Sequence, residues 1–183
     1  MFDAHMDEVG FMIRYIEEEG FLRFTPLGGI DKRLYPGSKV VIRAENGDHI
    51  TGIIGLAPPH ITSSEERNKS PDHFGLFIDI GATSKAQVHE MQIDIGSTGV
   101  LDYGFEYLED REILRGRAFD DRTGCNVLLN LAHLLSQSPQ LEETVLFNFS
   151  IGEEVGGRGT GNGTYNIYPD IGITLDDIID SVE

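Results

Sequence analysis

Histidine and acidic residues that could bind a metal ion occur in four short motifs of this 183-residue chain. Each motif adjoins a stretch that predicts a β-strand, and together they are His5-Met6-Asp7-Glu8, Phe119-Asp120-Asp121, Gly152-Glu153-Glu154 and Leu175-Asp176. Imidazole and carboxylate ligands without cysteine suit Zn²⁺, Co²⁺ or Mn²⁺, and the ligand types alone do not choose among these ions. Because the order of the motifs is consistent with one sheet edge, where open α/β sheets bind ligands, they predict a shared metal site.

Taken singly, each motif also has a more ordinary explanation. His5 and Asp7 point to the same face of a strand, so Asp7 could support a metal-binding imidazole or form only a surface hydrogen bond. Asp120 and Asp121 precede a predicted helix, where carboxylates interact favourably with the helix dipole. Asp176 could belong to an acidic chain end. The combination of the four motifs, rather than any one of them, favours the metal site.

Glu153 and Glu154 directly follow a predicted apolar strand. Two neighbouring carboxylates repel each other, which raises a pKa unless a cation neutralises them. One of the pair could therefore ligate a metal ion while the other acts as a general base on water.

The sequence between these motifs shows two patterns of apolar residues, one typical of β-strands and one typical of an α/β fold. From residue 13 to about residue 107, short apolar stretches alternate with turns, as in a small barrel or sandwich. Asn46-Gly47 predicts a hairpin turn, and Ser84 with Gln87 predicts a helix start of the capping-box type. The polar stretch from Pro58 to His73 predicts a mobile loop.

After Leu114 the pattern becomes that of an α/β fold. Thr123–Ser136 predicts an amphipathic helix, and two nearly continuous apolar stretches, 143–150 and 170–175, predict strands of a parallel sheet. The glycine-rich run from Gly156 to Gly163 predicts poor helix formation. We therefore expect an α/β domain made of residues 1–12 and 113–183, with residues 13–112 inserted as a β-barrel or sandwich. The α/β share is small, so we expect an incomplete sheet.

The composition excludes several classes of partner. The chain has 14 Lys and Arg against 31 Asp and Glu, a formal net charge of −17. This charge argues against binding to nucleic acid or to anionic membrane surfaces, which need basic footprints. A single cysteine, Cys125, excludes an internal disulfide. No export signal or membrane span is predicted, so we expect a cytoplasmic protein.

In combination, the motifs resemble a known family, the glutamyl/tetrahedral aminopeptidases. These are dinuclear metallopeptidases, some of whose relatives carry endoglucanase labels. The residues that carry the resemblance are His5-Met6-Asp7-Glu8-Val9-Gly10, Phe119-Asp120-Asp121-Arg122-Thr123-Gly124, Gly152-Glu153-Glu154-Val155-Gly156 and Pro169 to Asp176, with Pro26 to Asp31, Gly52 to Gly55 and Phe77 to Ala82 in the β segment. The resemblance implies a partial zinc-peptidase-like α/β domain with an inserted small β-barrel.

The resemblance also implies a role for each matching residue. His5 and Asp176 would ligate the first metal ion, Glu154 the second, and Asp120 would bridge the two. Asp7 would support His5, and Glu153 would be the general base. The implied cofactors are two divalent ions (Zn, Co or Mn), the implied substrates are peptides, and the implied assembly is a homo-oligomer.

Members of that family have a segment before the His-x-Asp-Glu strand and continue beyond the residue that matches Asp176, where a last histidine ligand lies. The resemblance therefore implies an incomplete aminopeptidase that binds one ion tightly or none and turns over little substrate. Two alternatives stay open: a catalytically inactive remnant that acts through its β module, and glycoside hydrolysis, which needs two carboxylates that flank a sugar.

Overall fold

The computed structural model describes residues 1–56, 73–137 and 141–177. The strands and α-helices in these parts are β1 (Phe2–His5), β2 (Gly10–Ile16), β3 (Leu22–Leu27), β4 (Lys39–Arg43), β5 (His49–Gly55), β6 (Phe77–Asp79), α1 (Lys85–Glu90), β7 (Thr98–Leu101), β8 (Phe105–Leu108), β9 (Ile113–Gly116), α2 (Phe119–Ser136), β10 (Phe147–Ser150), α3 (Arg158–Ile167) and β11 (Ile173–Thr174). Short 3-10 helices occupy Lys32–Leu34 and His73–Gly75. Apart from His73, the loop predicted from Pro58 to His73 lies outside the described residues.

The chain divides into two compact units. One consists of Met1–Glu8 with Gly104–Glu183, and the other is Val9–Tyr103. The predicted α/β class with a small β-barrel is confirmed, since one unit holds a parallel sheet with helices and the other a closed barrel. The predicted boundaries follow residues 12 and 112, four and nine residues after the observed divisions at Glu8 and Tyr103. The assignment of the units as catalytic and inserted domains stays a prediction.

The barrel of the Val9–Tyr103 unit closes in the strand order β2-β3-β6-β5-β4-β7. Its core is built from aliphatic and aromatic side chains that the alternating strand pattern turns inward. The largest fully buried side chains are Phe11 in β2, Phe24 in β3 and Tyr35, which follows the 3-10 helix Lys32–Leu34. The ring of Phe24 packs against both of the others, with centroids 5.4 Å away in each case.

Local turn signals correctly predicted two features of the barrel. β4 and β5 pair as an antiparallel hairpin around Asn46-Gly47, where Gly47 has a φ of 89°. The Ser84 hydroxyl accepts a hydrogen bond from the backbone N–H of Gln87 and so caps α1. Both features depend on residues close in sequence, which is why the sequence predicts them well.

The other unit contains a parallel sheet in the order β10-β1-β11. β1 is central: Phe2 pairs with Phe147 on one side and with Ile173 on the other. Because all three strands run the same way, their carboxyl ends meet at one edge of the sheet. His5 is the last residue of β1 and lies at that edge, opposite Ser150 at the end of β10.

Helix α2 packs on this sheet through Leu128 and Cys125, which are buried with Ala4. The predicted apolar face is only partly used, since Leu128 is fully buried whereas Leu134 is 64 % exposed. The helix was predicted from Thr123, and the observed element begins four residues earlier with a cis peptide bond between Asp120 and Asp121 and non-helical backbone at both.

The glycine-rich run from Gly156 to Gly163, predicted to form a helix poorly, is helical from Arg158 onward, because α3 covers Arg158–Ile167. Two of its glycines lie where the helix approaches the sheet. A Cβ on Gly159 would collide with the backbone of Ile151, and a Cβ on Gly163 would lie 2.7 Å from the amide nitrogen of Asn148. Close packing therefore requires glycine at positions where helix propensity alone disfavours it.

Candidate metal centre

His5 lies at the sheet edge with its side chain only 3 % exposed. Its Nδ1 is 3.1 Å from the backbone carbonyl oxygen of Asp7. Because a carbonyl can only accept, Nδ1 carries the hydrogen of this bond, and in the neutral ring the lone pair lies on Nε2. A backbone or carboxylate acceptor on the second ring nitrogen is the usual environment of a metal-binding histidine.

Two carboxylates from distant parts of the chain lie beside this imidazole. Asp120 Oδ1, at the start of α2, is 3.0 Å from His5 Nε2, and Asp176 follows the end of β11. One ligand atom from each of His5, Asp120 and Asp176 lies within 4.8 Å of the others. Among the residues that the structure describes, this is the group of histidine, cysteine and acidic side chains with the geometry to hold an ion.

The donor set fits a divalent metal ion of the zinc, cobalt or manganese kind. It provides one imidazole nitrogen and two carboxylate oxygens, the ligand types and number common in catalytic zinc sites. The Asp120 side chain is exposed, so the site is open to solvent on the side of Asp120. A cation there would compensate the negative charge that Asp120 and Asp176 bring together.

The loop from 151 to 157 brings Glu153 and Glu154 to the same region. The Asp7 carboxylate accepts hydrogen bonds from the backbone N–H groups of Glu153 and Glu154, each at 3.3 Å. Glu153 Oε2 lies 3.9 Å from His5 Nε2, and its side chain is 41 % exposed. Glu154 does not belong to the three-residue ligand group. The structure thus brings four of the predicted residues, Asp7, Asp120, Glu153 and Asp176, close to His5. Glu154 follows Glu153 on the loop.

The electrostatics of the cluster follow from its burial and crowding. Burial alone lowers the pKa of His5, but the hydrogen bond to Asp7 and the charges of Asp120 and Asp7 outweigh burial and raise this pKa above its ordinary value. Burial and then the charge of Asp120 raise the pKa of Glu154. The negatively charged neighbours therefore account for the raised pKa of His5, whereas burial is the main cause of the raised pKa of Glu154.

Asp121 is a site residue whose role the sequence did not predict. It is fully buried, and its carboxylate accepts hydrogen bonds from the backbone N–H of His5 at 3.1 Å and of Gly124 at 3.0 Å. Asp121 therefore fixes the start of α2 to the end of β1, which holds Asp120 next to His5. Burial raises the pKa of Asp121, although both hydrogen bonds oppose that rise. The sequence marked this position only by the pair Asp120-Asp121, and the pair did not show which of the two aspartates is buried.

Glu8 forms a second connection between the same two segments. Its largely buried carboxylate pairs with the Arg117 guanidinium at 2.6 Å and with that of Arg122 at 3.5 Å. The turn after His5 is therefore held by Arg122 in α2 and by Arg117, which precedes α2.

A cavity of about 270 Å³ opens beside the cluster. Its lining includes His5, Glu153 and Asp176, together with Asp3 and Thr160. Two of the candidate ligands, His5 and Asp176, and Glu153 therefore face a space that could accept a small group.

The chain belongs to the M42 glutamyl aminopeptidase family, whose model matches residues 1–181. It is 29 % identical over 177 residues to the lysyl aminopeptidase of Pyrococcus furiosus, which covers 96 % of this chain and 50 % of that protein. The chain spans about half the length of the curated relatives it matches.

Solved structures of related peptidases share the fold. The TET aminopeptidase of the marine sediment archaeon Thaumarchaeota archaeon SCGC AB-539-E09 superposes with a TM-score of 0.91 at 35 % identity, over 98 % of this chain and 51 % of that one. The TET1 peptidase of Pyrococcus horikoshii, which can assemble into a tetrahedron or a large octahedral shell, gives 0.83 at 36 % identity, over 96 % of this chain and 52 % of that one.

Proposed function

We propose that this chain carries the metal centre of an aminopeptidase that removes N-terminal residues from peptides. The observation that supports the proposal is the convergence of His5, Asp120 and Asp176 within 4.8 Å in a member of an aminopeptidase family. These residues lie up to 171 positions apart in sequence, and an exposed acidic cluster alone would not explain why a buried histidine is included.

In this proposal His5 Nε2 and one oxygen each of Asp120 and Asp176 would hold a divalent cation. Such a cation would polarise a peptide carbonyl and lower the pKa of water. Glu153 lies close enough to act as the general base: its carboxylate can accept a proton from water and return it to the leaving amine. Asp7 keeps the imidazole hydrogen on Nδ1 and holds the Glu153 backbone.

We further propose that the 183-residue chain binds one divalent ion tightly rather than the two implied by the resemblance. The described residues supply one group of three ligands. Among the residues that the structure describes, a second ion would draw on Asp120, which already serves the first ion, and on Glu154.

Calorimetric titration of the purified chain with Co²⁺ tests the metal centre. We expect about one tight ion per chain by this ligand count. His5→Ala should lower the Co²⁺ affinity at least about tenfold, since one of three ligands is lost. His89→Ala, a matched change at a half-exposed histidine of the barrel unit, should leave the affinity unchanged. Equal affinities in all three proteins would contradict the proposed centre.

A substrate comparison tests the reaction. The chain is incubated with aminoacyl-nitroanilides and with a soluble glucan, each with and without Co²⁺ or Zn²⁺. We expect any hydrolysis to be of the nitroanilide, to require the ion and to fall about 10² to 10⁴-fold in Glu153→Gln, which should still bind Co²⁺. Ion binding without turnover favours the inactive-remnant alternative, and cleavage of the glucan favours glycoside hydrolysis.

We also propose a homo-oligomer, supported by the assembly of the related TET1 peptidase. Analytical ultracentrifugation of the purified chain measures its assembly directly, and a single species with the 20.3 kDa mass of one chain would contradict the proposal.

Among the described residues, no helix combines the length and apolar character needed to cross a membrane. Cytoplasmic residence stays a prediction from the sequence.

A further inference from the structure

Asp3 is a buried carboxylate that the proposed reaction does not use. Only 2 % of the residue is exposed. Its carboxylate accepts hydrogen bonds from the Thr160 hydroxyl at 2.7 Å, from the Ser150 hydroxyl at 3.4 Å and from the Asn148 side-chain amide. No Lys, Arg or His among the described residues pairs with it. Because a buried carboxylate is costly unless its oxygens are bonded, these neutral donors are what make the position tenable.

The three donors stand at the two ends of the loop that carries Glu153 and Glu154. Asn148 and Ser150 belong to β10, which leads into the loop, and Thr160 lies in the first turn of α3, which leads out of it. The hydroxyls of Thr160 and Ser150 also lie 3.2 Å apart. Asp3 therefore joins both ends of the loop to β1, the strand that presents His5.

The far end of the same loop is held from the same strand. Asp3, His5 and Asp7 follow at two-residue spacing along β1 and its continuation, which places them on one face. Asp7 accepts from the backbone N–H groups of Glu153 and Glu154. One strand thus fixes the base of the loop through Asp3 and its tip through Asp7, with the imidazole between them.

We propose that Asp3 is a positioning residue that sets where the 151–157 loop places Glu153 relative to His5. The loop contact stands on the structure alone, and its consequence for proton transfer rests on the proposed function. Asp3 acts on Glu153 through the two ends of the loop that carries it.

The test uses paired changes at Thr160, which leave Asp3 itself unaltered. Thr160→Val removes the donated hydrogen bond at nearly constant shape, Thr160→Ser keeps the hydroxyl, and Thr164→Val makes the same change at an exposed position of α3. Amide hydrogen exchange of the metal-free chain is the first measurement. We expect about tenfold faster exchange at the Glu153 and Glu154 amides in Thr160→Val, as loss of a hydrogen bond to a charged group implies, and unchanged exchange in the other two variants.

Three results would overturn the proposal: unchanged exchange at these two amides in Thr160→Val, acceleration of similar size throughout α3 and β10, or no rescue by Thr160→Ser. If Thr160→Val does not fold, Ser150→Ala removes a donor from the other end of the loop. It should accelerate the same two amides, and unchanged exchange there would equally overturn the proposal.

A second measurement separates this proposal from the proposed function. Co²⁺ affinity of Thr160→Val should stay within about twofold of the unsubstituted chain, because His5, Asp120 and Asp176 lie outside the loop. Where the chain turns over nitroanilide, kcat should fall about tenfold in Thr160→Val and recover in Thr160→Ser. A loss of Co²⁺ affinity as large as the rise in exchange would mean that Asp3 holds the ligands rather than the loop, and would overturn the proposal. Failure of the unsubstituted chain to bind Co²⁺ would instead overturn the proposed function and leave the exchange result standing.

Discussion

The hydroxyl of Tyr35 is buried in the barrel without a hydrogen-bond partner among the described residues. An unsatisfied buried hydroxyl costs free energy, so removing it relieves a cost rather than breaking a bond. We expect Tyr35→Phe to leave the free energy of unfolding unchanged or raise it by about 1 kcal/mol, measured by urea unfolding. Tyr15→Phe, at a half-exposed tyrosine of the same barrel, is the control and should change nothing. A loss of more than about 1 kcal/mol in Tyr35→Phe would show that the hydroxyl is bonded.

The same residue predicts how the barrel responds to alkaline pH. Burial, followed by the charge of Tyr103, raises the pKa of Tyr35 above its ordinary value of 10.0. A group whose pKa is raised by folding stabilises the native state fully below its unfolded pKa, and this contribution is lost as the pH rises through its folded pKa. Barrel stability should therefore decline above about pH 10, and less steeply in Tyr35→Phe. Parallel pH–stability curves for the two proteins would contradict this.

Around His5, the short-range periodicity of the sequence predicted only part of the site. The two-residue period of a strand placed Asp7 on the same face as His5. It could not show that the Asp7 carboxylate would bond the backbone of Glu153, 146 positions away, or that Asp121 rather than Asp120 would face inward. Those contacts depend on which distant segments dock, and no local spacing encodes that.

At the scale of elements, the barrel depends on close approach between strands β2 and β7. A Cβ on Gly10 would lie 2.6 Å from the carbonyl oxygen of Gly99, which belongs to the backbone and cannot rotate away. We expect Gly10→Ala to lower the free energy of unfolding by about 1–3 kcal/mol. Gly29→Ala, where no atom lies within 4 Å of the added Cβ, is the matched control and should change stability by less than about 0.5 kcal/mol. Equal effects of the two changes would refute this reading of the strand packing.

Elements differ in how far the sequence predicted them. The hairpin at Asn46-Gly47 and the helix capped by Ser84 depend on neighbouring residues and were predicted well. α3 was not predicted because its glycines disfavour a helix locally. They are required by the close approach of Ile151 and Asn148, which depends on tertiary packing. β10 and β11 are shorter than the apolar stretches that predicted them.

For the whole molecule, the two units predict a selective response to metal. All candidate ligands belong to the unit that contains β1, and each unit has its own hydrophobic cluster. We expect calorimetry to show two transitions, of which Co²⁺ raises one. At an ion concentration about 100 times the dissociation constant, the gain is about 2.7 kcal/mol, or roughly 15 °C for a unit of this size. His5→Ala should remove that shift. An equal rise of both transitions would count against a centre confined to one unit.

The central position of β1 has a consequence for how the chain reaches its native state. Its partners in the described sheet lie far away in sequence, Phe2 pairing with Phe147 and Ile173, whereas the barrel strands pair among residues 10–101. At ribosomal speeds of about 5–20 residues per second, roughly 7 to 30 s separate the synthesis of β1 from that of β10. The barrel can form during this interval while β1 waits unpaired, since nearer contacts close at lower entropic cost. His5 and its carboxylates therefore come together late, and the ability to capture an ion should be among the last properties that the newly made chain acquires.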